Sequence, residues 1–154
     1  MSTEDVEPRP SPIAGLGLFA KREFAVGERI SPYSGTMTTE PPAEASTDGK
    51  VYALEIVPGR WLDGASDANP SRHANHACHP NAELIWHEAE TQAWLTARRP
   101  IAVGDEITFD YGFSLAESLF HPCSCGFADC VGRIIATPLR PALRRHLRFS
   151  RPRD

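Results

Sequence analysis

Four short strings in this chain carry residue types that do chemistry. The first is Cys123-Ser124-Cys125 with Cys130 further on, a C-x-C-x4-C cluster folded around Gly126. Such a glycine turn lets both ends of the loop face inward, so its three thiols can converge on one ion, and a closed structural zinc site takes four ligands. Cys78 is the one cysteine left, with His79 and His121 as substitutes if it points away. Two other readings stay open: the thiols as small buried apolar groups, or as disulfides, which a reducing compartment disfavours.

The second string, Asn75-His76-Ala77-Cys78-His79-Pro80-Asn81, is too polar for a core segment. Its asparagines and proline suit a turn, and turn chemistry alone would account for them. The third runs Glu106-Ile107-Thr108-Phe109-Asp110-Tyr111-Gly112. Strand side chains alternate faces, so Phe109 and Tyr111 share one side and Asp110 takes the other. Two such rings either pack into the core or wall a slot with a phenol at its mouth. The fourth, Gly15-Leu16-Gly17-Leu18-Phe19-Ala20, opens a strand with two glycines that permit close backbone approach. It lacks the third glycine and the helix of a dinucleotide site.

The elements that must hold these strings are short and mostly β. Residues 18–21, 29–33, 51–57, 82–87, 93–97 and 106–111 have strand patterns, separated by Gly and Pro breaks. Residues 35–50, with Pro41-Pro42, read as an exposed loop. Two helical stretches are expected: a turn or two over 114–120, and the tail from Pro141, where Leu139, Leu143 and Leu147 recur every four residues among arginines. Residues 1–11, short, polar and rich in Pro and Glu, read as a disordered leader.

Composition narrows the class. At 154 residues, with 14 Pro and 11 Gly, there is room for one turn-rich domain. The longest stretches without a charged residue, 10–20 and 118–128, fall short of the roughly 18 apolar residues of a membrane span. The first ten residues, acidic and proline-bearing, do not read as a secretory signal. An intracellular protein with no membrane contact is expected. The net charge of −4 divides unevenly: residues 138–154 carry +5 and the remainder −9. An acidic body favours a basic protein as partner. Nucleic acid has a foothold only on the arginine tail, through Arg140, Arg144, Arg145, Arg148, Arg151 and Arg153.

Taken in order, the strings resemble the SET domain of protein lysine methyltransferases with its post-SET extension. Residues 15–20 look like the family's first glycine motif and Tyr33-Ser34-Gly35 like its Y-x-G. The run from Arg72 to Asn81 is similar to R-x-x-N-H-x-C-x-P-N. Residues 107–112 match the catalytic strand, and Cys123, Cys125 and Cys130 match the post-SET cysteines. Ala77 stands where the family often has serine, and Pro32 where an acid often precedes the tyrosine. No cysteine-rich segment precedes Ile13, which implies a minimal, prokaryotic or viral type of member, cytoplasmic if prokaryotic and nuclear if eukaryotic.

The resemblance implies a mostly β, β-clip-like fold of several short-stranded sheets with a knot-like C-terminal arrangement. It implies a SET domain over 12–113, a post-SET segment over 114–137 and a basic tail over 138–154. The implied reaction is methyl transfer from S-adenosylmethionine to the ε-amine of a lysine in a basic protein or peptide, such as a histone. Tyr111 would be catalytic, with Tyr33 and Phe109 lining the lysine channel and Phe109 leaving room for more than one methyl group. Gly15, Leu16, Gly17, Arg72, Asn75, His76 and Tyr111 would meet the cofactor, and Cys78, Cys123, Cys125 and Cys130 would hold zinc. The alternatives are a catalytically silent peptide-binding module and a zinc-stabilised nucleic-acid binder.

Overall fold

In the computed structural model, which describes residues 3–40 and 52–150, ten strands form three small sheets. The first sheet has the order β1-β2-β10-β7, from β1 (Val6–Pro10), β2 (Leu16–Ala20), β7 (Asn75–His76) and β10 (Glu106–Phe109). The second is β3-β9-β8, from β3 (Arg29–Tyr33), β8 (Ala82–His87) and β9 (Gln92–Ala97). The third is β4-β6-β5, from β4 (Thr36–Thr38), β5 (Ala53–Val57) and β6 (Arg60–Asp63). Two helices follow, α1 (Leu115–Ser118) and α2 (Arg140–Phe149), with single 3-10 turns between elements. None is long and apolar enough to cross a membrane.

The strands form where the sequence alternates. Ala93, Leu95 and Ala97 of β9 are buried on one face. Leu18 and Ile107, register partners across β2 and β10, are fully buried between the sheets. Together with Phe24, Ile30, Tyr33, Leu62, Ile101 and Phe109 they make one continuous core. Every pair of strands is antiparallel except β10 and β7, which run parallel with Thr108 beside Asn75 and Phe109 beside His76. A parallel pair needs a long crossover, and here the β8–β9 hairpin supplies it.

Expected strands 29–33 and 82–87 are found with those bounds. Several expectations need correction. Residues 6–10, expected within a disordered leader, form β1 and pair with β2 from Val6–Ala20 to Pro10–Leu16. Pro8 and Pro10 read against a strand, but β1 is an edge, where a missing N–H costs no ladder bond. Residues 36–38, expected in a loop, form β4; residues 41–50 of that loop, and Val51, lie outside the described residues. β6 was not expected because only Trp61 and Leu62 are apolar in it; the two-residue turn at Pro58-Gly59, with Gly59 at φ 75, folds it against β5. β10 ends at Phe109, two residues short of the expected 111.

Residues 140–149 of the arginine tail are docked rather than free. Leu143 of α2 is fully buried, and Arg140 at its start is nearly so. α1 is closed by a capping box between Ser114 and Glu117.

Gly35 sits where β4 passes the end of β6, and an added Cβ would lie 2.0 Å from the Asp63 carbonyl oxygen. Only a backbone shift relieves a clash with backbone, so Gly35→Ala is expected to cost about 1–3 kcal/mol of stability, read as an earlier urea midpoint. An unchanged midpoint would contradict this packing.

Candidate functional site

The parallel pairing of β7 with β10 brings the Asn75–Asn81 string against the Glu106–Gly112 string. Both asparagines latch the junction. Asn81 donates through Nδ2 to the Glu106 carbonyl (2.9 Å) and accepts from the Thr108 N–H (3.0 Å). Asn75 Nδ2 lies 3.1 Å from the Ala14 carbonyl oxygen, 3.3 Å from that of Leu16, 3.2 Å from Ser11 Oγ and 2.9 Å from Glu106 Oε1. One amide thereby ties the glycine-bearing loop before β2 to β10. Gly15 enters that loop at φ 43, and at Gly17 an added Cβ would lie 2.3 Å from Glu106 Oε1.

Two participants were not singled out from sequence. Glu106 Oε1 accepts from both Ser11 Oγ (2.7 Å) and Asn75. A charged residue opening a strand reads as a solvated edge, and a serine after a proline-rich stretch reads as loop, so neither carried a signal.

The aromatic rings of Phe109 and Tyr111 meet as expected, although β10 ends at Phe109 and Tyr111 follows it in irregular backbone. Phe109 and Tyr111 have ring centroids 4.9 Å apart, Tyr33 meets Phe109 edge-on at 6.3 Å, and Tyr111 meets Phe113 at 5.6 Å. Both phenols are oriented by backbone: Tyr111 Oη donates to the Ala74 carbonyl (2.7 Å) and Tyr33 Oη to that of Tyr52 (2.8 Å). Burial holds both hydroxyls well above the usual tyrosine range, so each stays protonated near neutral pH.

His76 lies against Tyr111, its Nδ1 accepting from the Tyr111 N–H (3.2 Å). Burial lowers its pKa to about 4, outweighing the opposing pull of Asp110. The ring is therefore neutral with its proton on Nε2, and that buried nitrogen has no partner among the described residues. The glycine loop, held by Asn75, presents Leu16 exposed. An unused buried donor on His76, and a close-approach backbone with an exposed apolar side chain held by the adjacent Asn75, fit a bound group with both polar acceptors and apolar surface. Arg72, by contrast, points its guanidinium to the turn before it: Nη1 donates to the Ala65 carbonyl (2.6 Å) and Nη2 pairs with Asp67 (2.7 Å), over the Tyr52 ring.

The four cysteines meet. All four Sγ atoms lie within 4.8 Å of one another, with Cys78 Sγ 4.0 Å from that of Cys123 and 3.6 Å from that of Cys130. A tetrahedral ion with metal–sulfur bonds of about 2.3 Å sets its sulfurs about 3.8 Å apart, whereas a disulfide needs about 2.05 Å. The donor set fits zinc and not a bridge. Burial pushes the Cys78 thiol up to about 12, so a thiolate at that position requires a cation. Arg140 adds a second: buried, it donates from Nη2 to the Cys78 carbonyl and has no carboxylate within ion-pair distance among the described residues. Four thiolates around a divalent ion carry a net −2, which this guanidinium partly offsets. Neither reserve histidine is used, since His79 pairs with Asp129 (2.7 Å) and His121 stacks on Phe113 (5.0 Å).

Residues 15–112 match the family model described as the SET domain. The chain belongs to the SET-domain family. It is similar to histone-lysine N-methyltransferase SETD1 of Drosophila melanogaster, 33% identical over 133 residues that make up 80% of this chain and 8% of that protein. It is likewise 33% identical to histone-lysine N-methyltransferase 2B of Homo sapiens, over 84% of this chain and 5% of that one. With ASHH3 of Arabidopsis thaliana, also a histone-lysine N-methyltransferase, it shares 28% identity over 84% of this chain and 38% of the relative. The chain thus spans a minor part of the length of these relatives. Its strands in three small sheets and its few short helices agree with the SET fold, and the tetrathiolate fits a post-SET zinc site.

Elemental analysis of this SET-domain chain purified without chelator is expected to find one zinc per molecule. Cys130→Ser, leaving three thiolates, should lose it and lower the melting temperature by several degrees, with site-linked unfolding on chelation. Equal zinc content in both forms would contradict the four-cysteine site.

Proposed function

We propose that this chain transfers methyl groups from S-adenosylmethionine to the ε-amine of lysine in a basic protein such as a histone. The observation that carries the reading is the aromatic line of Tyr33, Phe109 and Tyr111, ending at a phenol whose hydroxyl is aimed by backbone. The family membership supports it, as do the relatives described above, each a histone-lysine N-methyltransferase. So does the charge of −9 over residues 1–137, which attracts a basic substrate.

S-adenosylmethionine, when bound, supplies an electrophilic methyl group on a sulfonium. In this reading Gly15, Leu16 and Gly17 bring backbone close to it, and Asn75 fixes that backbone. His76 offers its unused Nε2–H, and Arg72 holds the 65–67 turn as one wall. Zinc at Cys78, Cys123, Cys125 and Cys130 is structural and anchors residues 114–137 to a SET domain over 12–113.

The lysine must react as a neutral amine. Against an ordinary pKa near 10.4, deprotonation at pH 7 costs about 4.6 kcal/mol. Rings of Tyr33, Phe109 and Tyr111 disfavour the ammonium and lower that cost. Because the Tyr111 phenol is held protonated, it is a poor base, and its part is to orient the reactants through its fixed hydroxyl. Alignment of this kind contributes up to about 7–11 kcal/mol of a displacement barrier. Phe109 presents no hydroxyl to the channel, which leaves room for an amine already methylated.

The test is mass spectrometry of core histones incubated with isotope-labelled cofactor. Tyr111→Phe is expected to lower transfer about 10²- to 10³-fold with zinc content unchanged. No transfer by the native chain would favour the silent peptide-binding module, and equal transfer by both forms would remove Tyr111 from the mechanism.

A further inference from the structure

α2 presents two unlike faces. Leu143 is buried, Leu147 is half-buried and Arg140 reaches the Cys78 carbonyl, so one side is committed to the protein. On the other, Arg144, Arg145, His146 and Arg148 are exposed, with Phe149 at the last turn. Arg144 donates to the Asp129 carbonyl (3.3 Å), a backbone contact. No α2 arginine pairs with a carboxylate among the described residues, although the chain outside 138–154 carries −9. The helix is therefore held by apolar and backbone contacts, and its positive charge is directed outward.

We propose that this face of α2 binds the phosphate backbone of double-stranded nucleic acid, through Arg144, Arg145 and Arg148. Three observations select that occupant. The cations are arginines, whose planar forks match phosphate oxygens. They stand on adjacent turns of one rigid helix, about 6 Å apart along its axis between Arg144 and Arg148, on an element fixed by Leu143 and Arg140. Leu143 and Leu147 are turned to the protein, and Phe149 is the one large apolar side chain that α2 exposes, which is too little for the apolar stripe of a helix lying in a lipid surface. Binding here does not rest on the methyl-transfer reading. If that reading holds, the acidic body and the basic helix divide the work: one meets a basic protein, the other the nucleic acid that such proteins coat.

Fluorescence anisotropy of the full, zinc-loaded chain with a labelled 30-base-pair duplex reads the proposal. Three phosphate contacts give a log–log salt slope of about −2.7, a loss of affinity of about 40-fold between 50 and 200 mM salt. Arg145→Ala/Arg148→Ala should weaken binding at least tenfold at 50 mM salt and bring the slope down by about 1.8. Both residues are exposed, so zinc content and melting temperature report that the variant is folded. Absent binding at 50 mM salt, or equal binding by the double variant, would overturn the proposal. Competition by poly-glutamate or by phosphatidylserine vesicles as effective as by unlabelled duplex would overturn the nucleic-acid assignment. Methylation of a free histone peptide at the native rate by the double variant would support two separate faces, and its loss would overturn that separation.

Discussion

The site hangs on one side-chain amide. Asn75 lies at the two-residue parallel junction of β7 with β10, and its Nδ2 reaches the carbonyls of Ala14 and Leu16, Ser11 Oγ and Glu106 Oε1. Two N–H bonds shared among four acceptors contribute about 1–3 kcal/mol in a half-buried setting. Their larger effect is positional, because they set the distance between the glycine loop and the strand that leads to Tyr111. Without the amide, buried carbonyl and hydroxyl groups lose their partner and the loop has no reason to stay against β10.

The rest of the molecule supports that junction. Fully buried Leu18 and Ile107 fix the register of β2 on β10, while the β8–β9 hairpin spans the gap between the two parallel strands. From the far side, the Cys78 thiol joins the junction to residues 123–130, and Arg140 joins both to α2. A small β domain with short strands gains from such closure, because an ion binding only the folded arrangement adds its binding energy to folding. The same chain of contacts carries the buried Arg140 charge, which has the thiolate centre as its counterpart.

Much of this was legible from residue types. The spacing of Cys123, Cys125 and Cys130 required a fourth ligand and left Cys78 as the one remaining cysteine, and the strand period placed Phe109 and Tyr111 on one side. The tail's four-residue leucine spacing gave α2 within a residue of its start. What escaped were elements whose reason lies in a partner rather than in themselves. β1, with two prolines, is a strand because β2 offers an edge; β6 because β5 turns back at Gly59; β7 because two asparagines latch it. Arg72, which the resemblance implies as a cofactor contact, has its guanidinium engaged by Ala65 and Asp67, partners that spacing alone does not reveal. Glu106 and Ser11 have roles that exist only once the loop and strand are side by side.

The most direct measurement is calorimetric titration of S-adenosylmethionine into the native chain and into Asn75→Ala, with zinc content and far-ultraviolet circular dichroism as controls. If the amide sets the geometry of the pocket, the variant keeps its metal and its strands but binds at least tenfold more weakly, about 1.4 kcal/mol or more. Equal affinity in the two forms would contradict the account, since the loop would then hold its place without the contact on which the site has been built.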